Sequence, residues 1–513
     1  MVYTRQTRTN AIQALSPRIA WLLLVGVCVL TRVATTITYI EDPDSLRFAL
    51  SVANEYDVAA MQPHFPGYPV FWAVVKPLYV VLGSFSTAFS VVGGLATAGI
   101  IAALLFLWKK PLVSTEGAIV AAIVAFNPLI WLMGNRYMPD LLGTACAMAA
   151  FALLLRSLTS DDGVNRGLAL FGVILTGWLA GLRLSYLPLL SIPVLVVLWR
   201  LFAARQMATL GRIILAGVVS VAVWLIPMII DTGWSELVQV ASAQTTGHFT
   251  EFGGTVQTES DMGRRIVRFV RGVWADGLGA WWPGRHPLTL AVSAGALGLG
   301  ALGLRQLLRE NVWHRTDVWV GAAGMLAYAV WVFFFQNVIH KSRHILPLLP
   351  MVLWLTSMGA TVLWNAARQQ RLSRAAVSLT LIAYAAVSLV LVWQHRSPTA
   401  IAQVKAFVER EEATGRPLRV ISDPLVNTYL DAQDIDARYI SVVDTAAVRR
   451  AMTADSGASI VVGTYPGLVD QPESRTRTFY HNPFVNRMWS DITVRMYESH
   501  RRSHDATQHA NDE

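Results

Sequence analysis

Three carboxylates stand close together early in the chain, at Glu41, Asp42 and Asp44, and a fourth acid, Asp140, follows Pro139 much later. Still further on, His340-Lys341-Ser342-Arg343-His344 packs two obligate cations and two histidines into five residues. A carboxylate accepts a proton, and guanidinium and ammonium groups bind phosphate oxygens well. Two acids from different loops can also orient one nucleophile together. Each feature has a plainer use. Asp44 can cap a helix starting at Ser45, and Asp140 suits the positive end of a helix dipole. The late cations can rest on anionic lipid heads.

Between these groups lies Gln62-Pro63-His64-Phe65-Pro66-Gly67-Tyr68-Pro69. Three prolines and a glycine predict a rigid turn that carries His64 and Tyr68. The same turn also serves simply to break a helix. Arg136 lies in the short stretch before Asp140. Arg183 ends an apolar run, where snorkelling alone would explain it. Arg32, inside the first apolar run, needs a partner, and Asp44 or Asp140 are the candidates.

The elements that position these groups are membrane spans. The chain has 513 residues, 54% hydrophobic and 15% charged, with a mean hydropathy of +0.44. Soluble domains carry about 25% charged residues. Runs of spanning length occur near 19–40, 87–107, 115–133, 140–156, 167–184, 186–202, 211–230, 287–304, 317–335, 345–365 and 375–394. Each span needs roughly 17–25 residues, so about eleven are expected. The run 68–82, broken by Pro69 and Pro77, reads as interfacial or re-entrant. Cys28 and Cys146 fall in apolar runs and read as buried free thiols. The first run lacks a cleavage site and reads as a retained helix. No internal repeat is evident.

The net charge of +9 reports orientation rather than nucleic acid. Lys and Arg, from Arg5, Arg8 and Arg18 to Arg368, Arg371 and Arg374, concentrate in one set of loops, the more so once the long loop 231–286 is set aside. That places the N-terminus in the cytoplasm, and an odd span count puts the C-terminus outside. The acids and the late cations then share the extracytoplasmic side of the plasma membrane. Within the long loop, Arg264, Arg265, Arg268 and Arg271 alternate with apolar residues, as in a helix lying on headgroups. A similar interfacial helix is expected from Ser45.

The fold class is therefore an all-α polytopic membrane bundle, spanning 1–394 with outer loops 41–86 and 231–286. Residues 395–500 change character. "LRVIS" (418–422), "ARYIS" (437–441), "ASIVVGT" (458–464) and "DITVRMY" (491–497) read as strands. With helical stretches such as 444–452 they predict a small extracytoplasmic α/β domain. It has no glycine-rich phosphate loop. Residues 501–513 read as a disordered tail.

Taken in order, these segments resemble the GT-C superfamily of membrane glycosyltransferases, which includes protein O-mannosyltransferases and the aminoarabinose transferase of lipid A. The likeness runs over roughly 15–395. It rests on Glu41 to Asp44, the turn His64 to Pro69, Pro128 to Asp140, "GWLAGLRLSYLPLL" (177–190) and "HKSRHILPLLP" (340–350). The resemblance implies a hexosyl- or pentosyltransferase that moves a sugar from a polyprenyl-phosphate donor to a hydroxyl of a glycan, lipid or protein, with inversion. It implies Asp44 as base, with Asp42 second and Asp140 as the second-loop acid. Glu41, His64, Tyr68 and Arg136 would position the acceptor. Lys341, Arg343, His344, His340 and Arg183 would bind the donor phosphate. Neither metal nor cofactor is implied. Departures are His344 where the family has tyrosine, Asp-Ser in the first loop, and Trp281-Trp282-Pro283 in place of Trp-Trp-Asp. A transporter or flippase of lipid-linked or small substrates would place ionisable groups at mid-membrane and often show repeats. A scaffold would use the bundle only as an anchor.

Overall fold

The computed structural model describes residues 16–159, 163–310, 312–366, 371–453, 458–468, 475–486 and 491–497. The expected disordered tail lies outside them, as do Arg5, Arg8 and Arg368. The chain divides into two compact units. One comprises residues up to Thr38 and Arg47–Arg396, the other Tyr39–Leu46 and Ser397–Glu513.

The first unit is helical: α1 (Pro17–Ala34), most of α2 (Pro43–Ala53), α3 (Pro69–Leu82), α4 (Phe85–Trp108), α5 (Thr115–Ala125), α6 (Pro128–Asn135), α7 (Asp140–Ser157), α8 (Arg166–Arg183), α9 (Pro188–Ala203), α10 (Met207–Thr232), α11 (Trp234–Thr250), α12 (Met262–Arg271), α13 (Thr289–Arg309), α14 (Thr316–Phe335), α15 (Leu349–Ala366) and α16 (Arg371–His395). Among the described residues nine helices have the length and apolarity to cross a membrane. The apolar pair α5–α6, bent by 56°, makes a tenth. The remaining expected span is α9, with 16 residues and Pro193 inside it. The run 68–82 forms α3, an apolar helix of 14 residues, short of a spanning length. Ile214, Leu215, Val218, Val223 and Ile230 of α10 are exposed. On a water-soluble bundle that stripe would be a liability; on an integral membrane protein it faces lipid.

The α5–α6 bend was not anticipated. Asn127-Pro128 interrupts the run, because a residue before proline leaves the helical region. Asn127 then caps α6 by accepting from Ile130 N at 2.9 Å and donates to Gly277 O and Tyr384 OH. Arg32 also departs from expectation. Its guanidinium donates to Ala125 O at 2.8 Å and Thr31 Oγ1 at 3.1 Å, and lies 4.4 Å over the Trp131 ring. A carbonyl and an aromatic face, rather than a carboxylate, satisfy this cation.

In the second unit α17 (Ala400–Glu412), β1 (Leu418–Ser422), α18 (Pro424–Asp431), β2 (Arg438–Ser441), α19 (Thr445–Thr453), β3 (Ala458–Val462), β4 (Arg475–Phe479) and β5 (Ile492–Tyr497) build one sheet of order β2-β1-β3-β5-β4. The first three strands are parallel and β5 runs antiparallel to both neighbours. Ile421 and Val461 pack with Val448 of α19 in one apolar cluster. The four expected strands form. The fifth, β4, escaped because "RTRTF" is an edge strand with mostly exposed, polar residues.

Candidate active site

Asp140 opens α7, and only 1% of its surface is exposed. Its Oδ1 meets Arg183 Nη2 at 3.1 Å, accepts from Tyr186 OH at 3.3 Å and lies 3.9 Å from Arg343 Nε. The approach of Arg183 and Tyr186 depends on Gly143, one turn along α7. A Cβ there would sit 2.8 Å from Arg183 Cβ and 3.3 Å from the Tyr186 ring. The second-loop acid and one cation of the late loop therefore meet in the folded chain, with Arg183 between α7 and the His64–Tyr68 turn.

The second amino group of Arg183 donates to Tyr68 OH at 2.9 Å, and Tyr68 OH lies 3.2 Å from His64 Nε2. Because Arg183 has only donors, the phenol oxygen accepts from it. Tyr68 takes φ +49° at the start of α3, a region costly for a bulky side chain. Phe48 packs edge-on against His64 and Tyr68, with ring centres 5.6 and 5.0 Å away.

In the late loop Arg343 also points Nη1 at Met138 Sδ, at 2.6 Å, and His344 gives its carbonyl to Tyr328 OH at 2.9 Å. Lys341 is half-buried and its backbone N–H donates to Asn337 O. His340 is engaged elsewhere: its Nε2 meets Glu259 Oε1 at 2.9 Å, because the long loop brings a carboxylate to it. Arg136 is buried at the end of α6. Of the four arginines expected on headgroups, Arg265 is instead buried, bonded to the carbonyls of Gly254 and Phe333.

The first-loop acids Glu41, Asp42 and Asp44 belong to the second unit. Asp42, not Asp44, caps α2: its Oδ1 accepts from Ser45 N at 2.7 Å. Proline favours the first helical position, so the helix starts at Pro43 and the cap falls one residue before it. Asp44, in the first turn, is half-buried. Glu41 fastens the segment to the sheet domain. Asn486 donates to its Oε1 at 3.1 Å and Thr399 to its carbonyl at 3.0 Å. Beyond Arg47, α2 packs on α3. Phe48 meets the Phe71 ring, and Trp72 Nε1 donates to Ser51 O at 2.8 Å.

Sequence reasoning missed Tyr186, Tyr328, Glu259 and His248. Tyr186 had a signal, since it follows Arg183 by three residues and so shares its face. Among the described residues no three His, Cys, Asp or Glu side chains gather as metal ligands.

No family model matches the chain, and no curated protein matches it. Solved structures do. Apo ArnT from Cupriavidus metallidurans aligns with TM-score 0.53 and 13% identity over 94% of this chain and 98% of that one. The same protein bound to undecaprenyl phosphate aligns with TM-score 0.51 and 12% identity over 93% and 97%. The apo oligosaccharyltransferase of Archaeoglobus fulgidus gives TM-score 0.49 and 11% identity over 89% of this chain and 70% of that one. The fold is that of the GT-C membrane proteins.

Proposed function

We propose that this chain is a membrane glycosyltransferase that moves a sugar from a polyprenyl-phosphate donor to an acceptor hydroxyl on the extracytoplasmic side. The observation that carries the reading is the meeting of Asp140 with Arg183 and Arg343, in a fold shared with a protein solved bound to undecaprenyl phosphate.

Lys341 and Arg343 hold the donor phosphate and stabilise the charge it gains as the bond to the sugar breaks. The bonding electrons leave with the phosphate. The acceptor oxygen attacks from the opposite face, which inverts the anomeric centre, and its proton passes to Asp44. The likeness to the GT-C family assigns this task to Asp44 first and to Asp42 second. Asp140 and His64 orient the acceptor.

Deleting the gene and analysing membrane lipids and glycans by mass spectrometry tests this reading. A polyprenyl-phosphate sugar should accumulate while one glycan loses that sugar. An unchanged lipid and glycan profile would overturn it.

A further inference from the structure

α14 ends at Phe335 without a glycine. Its cap, Gln336, is extended. The last carbonyls of a helix have no partner within it and need one from outside. Here all four from Phe333 to Gln336 take donors from the long loop. Arg265 Nε donates to Phe333 O at 2.9 Å and Arg265 Nη2 to Gln336 O at 3.2 Å. Val256 N donates to Phe334 O at 3.0 Å and His248 Nε2 to Phe335 O at 2.9 Å.

The same loop grips the turn that follows. Gly254, at φ +85°, lies so close to Asn337 that a Cβ would fall 2.1 Å from its side chain. Asn337 Oδ1 accepts from His340 N at 3.1 Å. Glu259 joins His340 Nε2 at 2.9 Å to Arg264 Nη1 at 3.3 Å. Arg265 Nη1 donates back to Gly254 O at 2.8 Å and closes the loop on itself. Lys341 follows directly, its N–H on Asn337 O.

We infer that Glu259 and Arg265 are positioning residues for the donor phosphate: by clasping 333–340 they fix the point from which Lys341 and Arg343 reach it. This rests on the phosphate role proposed above for those two cations. Neither Glu259 nor Arg265 touches the reacting atoms. Their effect passes through the backbone of 336–341, so it falls on phosphate recognition and spares the apolar tail of the lipid.

The full-length chain in nanodiscs, titrated with undecaprenyl phosphate and separately with undecaprenol, tests this. Glu259→Gln and His340→Gln should each weaken undecaprenyl phosphate binding by about tenfold, and the double variant by no more than one of them, as expected for partners in one contact. Undecaprenol binding should not change. Arg265→Lys, which keeps the charge but loses the fork, should weaken the phosphate ligand in the same direction. Equal losses for both ligands would mean general damage and would overturn the inference. So would unchanged phosphate binding in Glu259→Gln, with the transferase reading left standing. Failure of the unsubstituted chain to bind undecaprenyl phosphate would remove that reading and the inference together.

Discussion

Arg183 holds Asp140 with one amino group, at 3.1 Å, while the other donates to Tyr68 OH at 2.9 Å. One buried side chain thus ties the acid at the start of α7 to the proline-rich turn. Breaking a buried ion pair from one side costs about 3–5 kcal/mol, because the remaining charge stays buried. Arg183→Met should therefore lower both the melting temperature and transfer, the latter by at least about a hundredfold. Arg183→Met with Asp140→Asn should recover much of the stability but none of the activity. Thermal unfolding and turnover of the two variants check this. An additive stability loss would show that the pair is not coupled.

Tyr186→Phe removes one donor from Asp140 and leaves the ring in place. The expected loss is about 1 kcal/mol of stability, with turnover down several-fold. Gly143→Ala drives a methyl against Arg183 and Tyr186 and should cost more, about 1–3 kcal/mol by overpacking. If Gly143→Ala proves as stable as the parent chain, the close approach described at that helix turn is wrong.

Asp42 and Asp44 should separate cleanly. Asp42→Ala removes a helix cap worth about 1 kcal/mol and should leave measurable transfer. Asp42→Asn, which can still cap, should come close to the parent. Asp44→Asn should abolish transfer with the melting temperature unchanged. The reverse pattern would move the base to Asp42.

His248 carries the pH expectation. Burial pushes its imidazole below the usual histidine range. The bond to Phe335 O opposes this, and the Lys341 and Arg183 charges reinforce it. The folded chain thus binds a proton at this site less readily than the unfolded chain does. Its contribution is complete above the ordinary value of about 6.5 and is lost as pH falls through the lowered folded value. Melting temperature should drop across that acidic window, and His248→Gln, which keeps a donor but does not titrate, should flatten the drop. A parallel drop in the variant would assign the effect to other groups.

Charges set in apolar sequence were legible. Asp140 stood out beside Pro139 at a helix start, Arg343 in a five-residue basic cluster and Arg183 at the end of an apolar run, and the structure brings them together. Tyr186 and Tyr328 did not stand out, because a tyrosine in an apolar helix looks like core. Arg265 was hidden by its own pattern. Four arginines spaced along one amphipathic helix read as a surface, and only α14's unpaired carbonyls, which no local pattern reveals, explain why one turns inward. The contacts of Glu41 were hidden for a related reason, since its partners Asn486 and Thr399 lie in a segment read as a separate domain. The spans emerged nearly whole from hydropathy, and the α5–α6 bend could have been read from Asn127-Pro128.

The central claim is that Asp44 takes the acceptor's proton while the late cations hold the departing phosphate. Purified chain, reconstituted with the lipid-linked sugar that accumulates in the deletion strain and with that strain's envelope glycans, tests it directly. The parent chain should release free polyprenyl phosphate, and Asp44→Asn, equally stable, should release none. Release at the parental rate by Asp44→Asn would contradict the account.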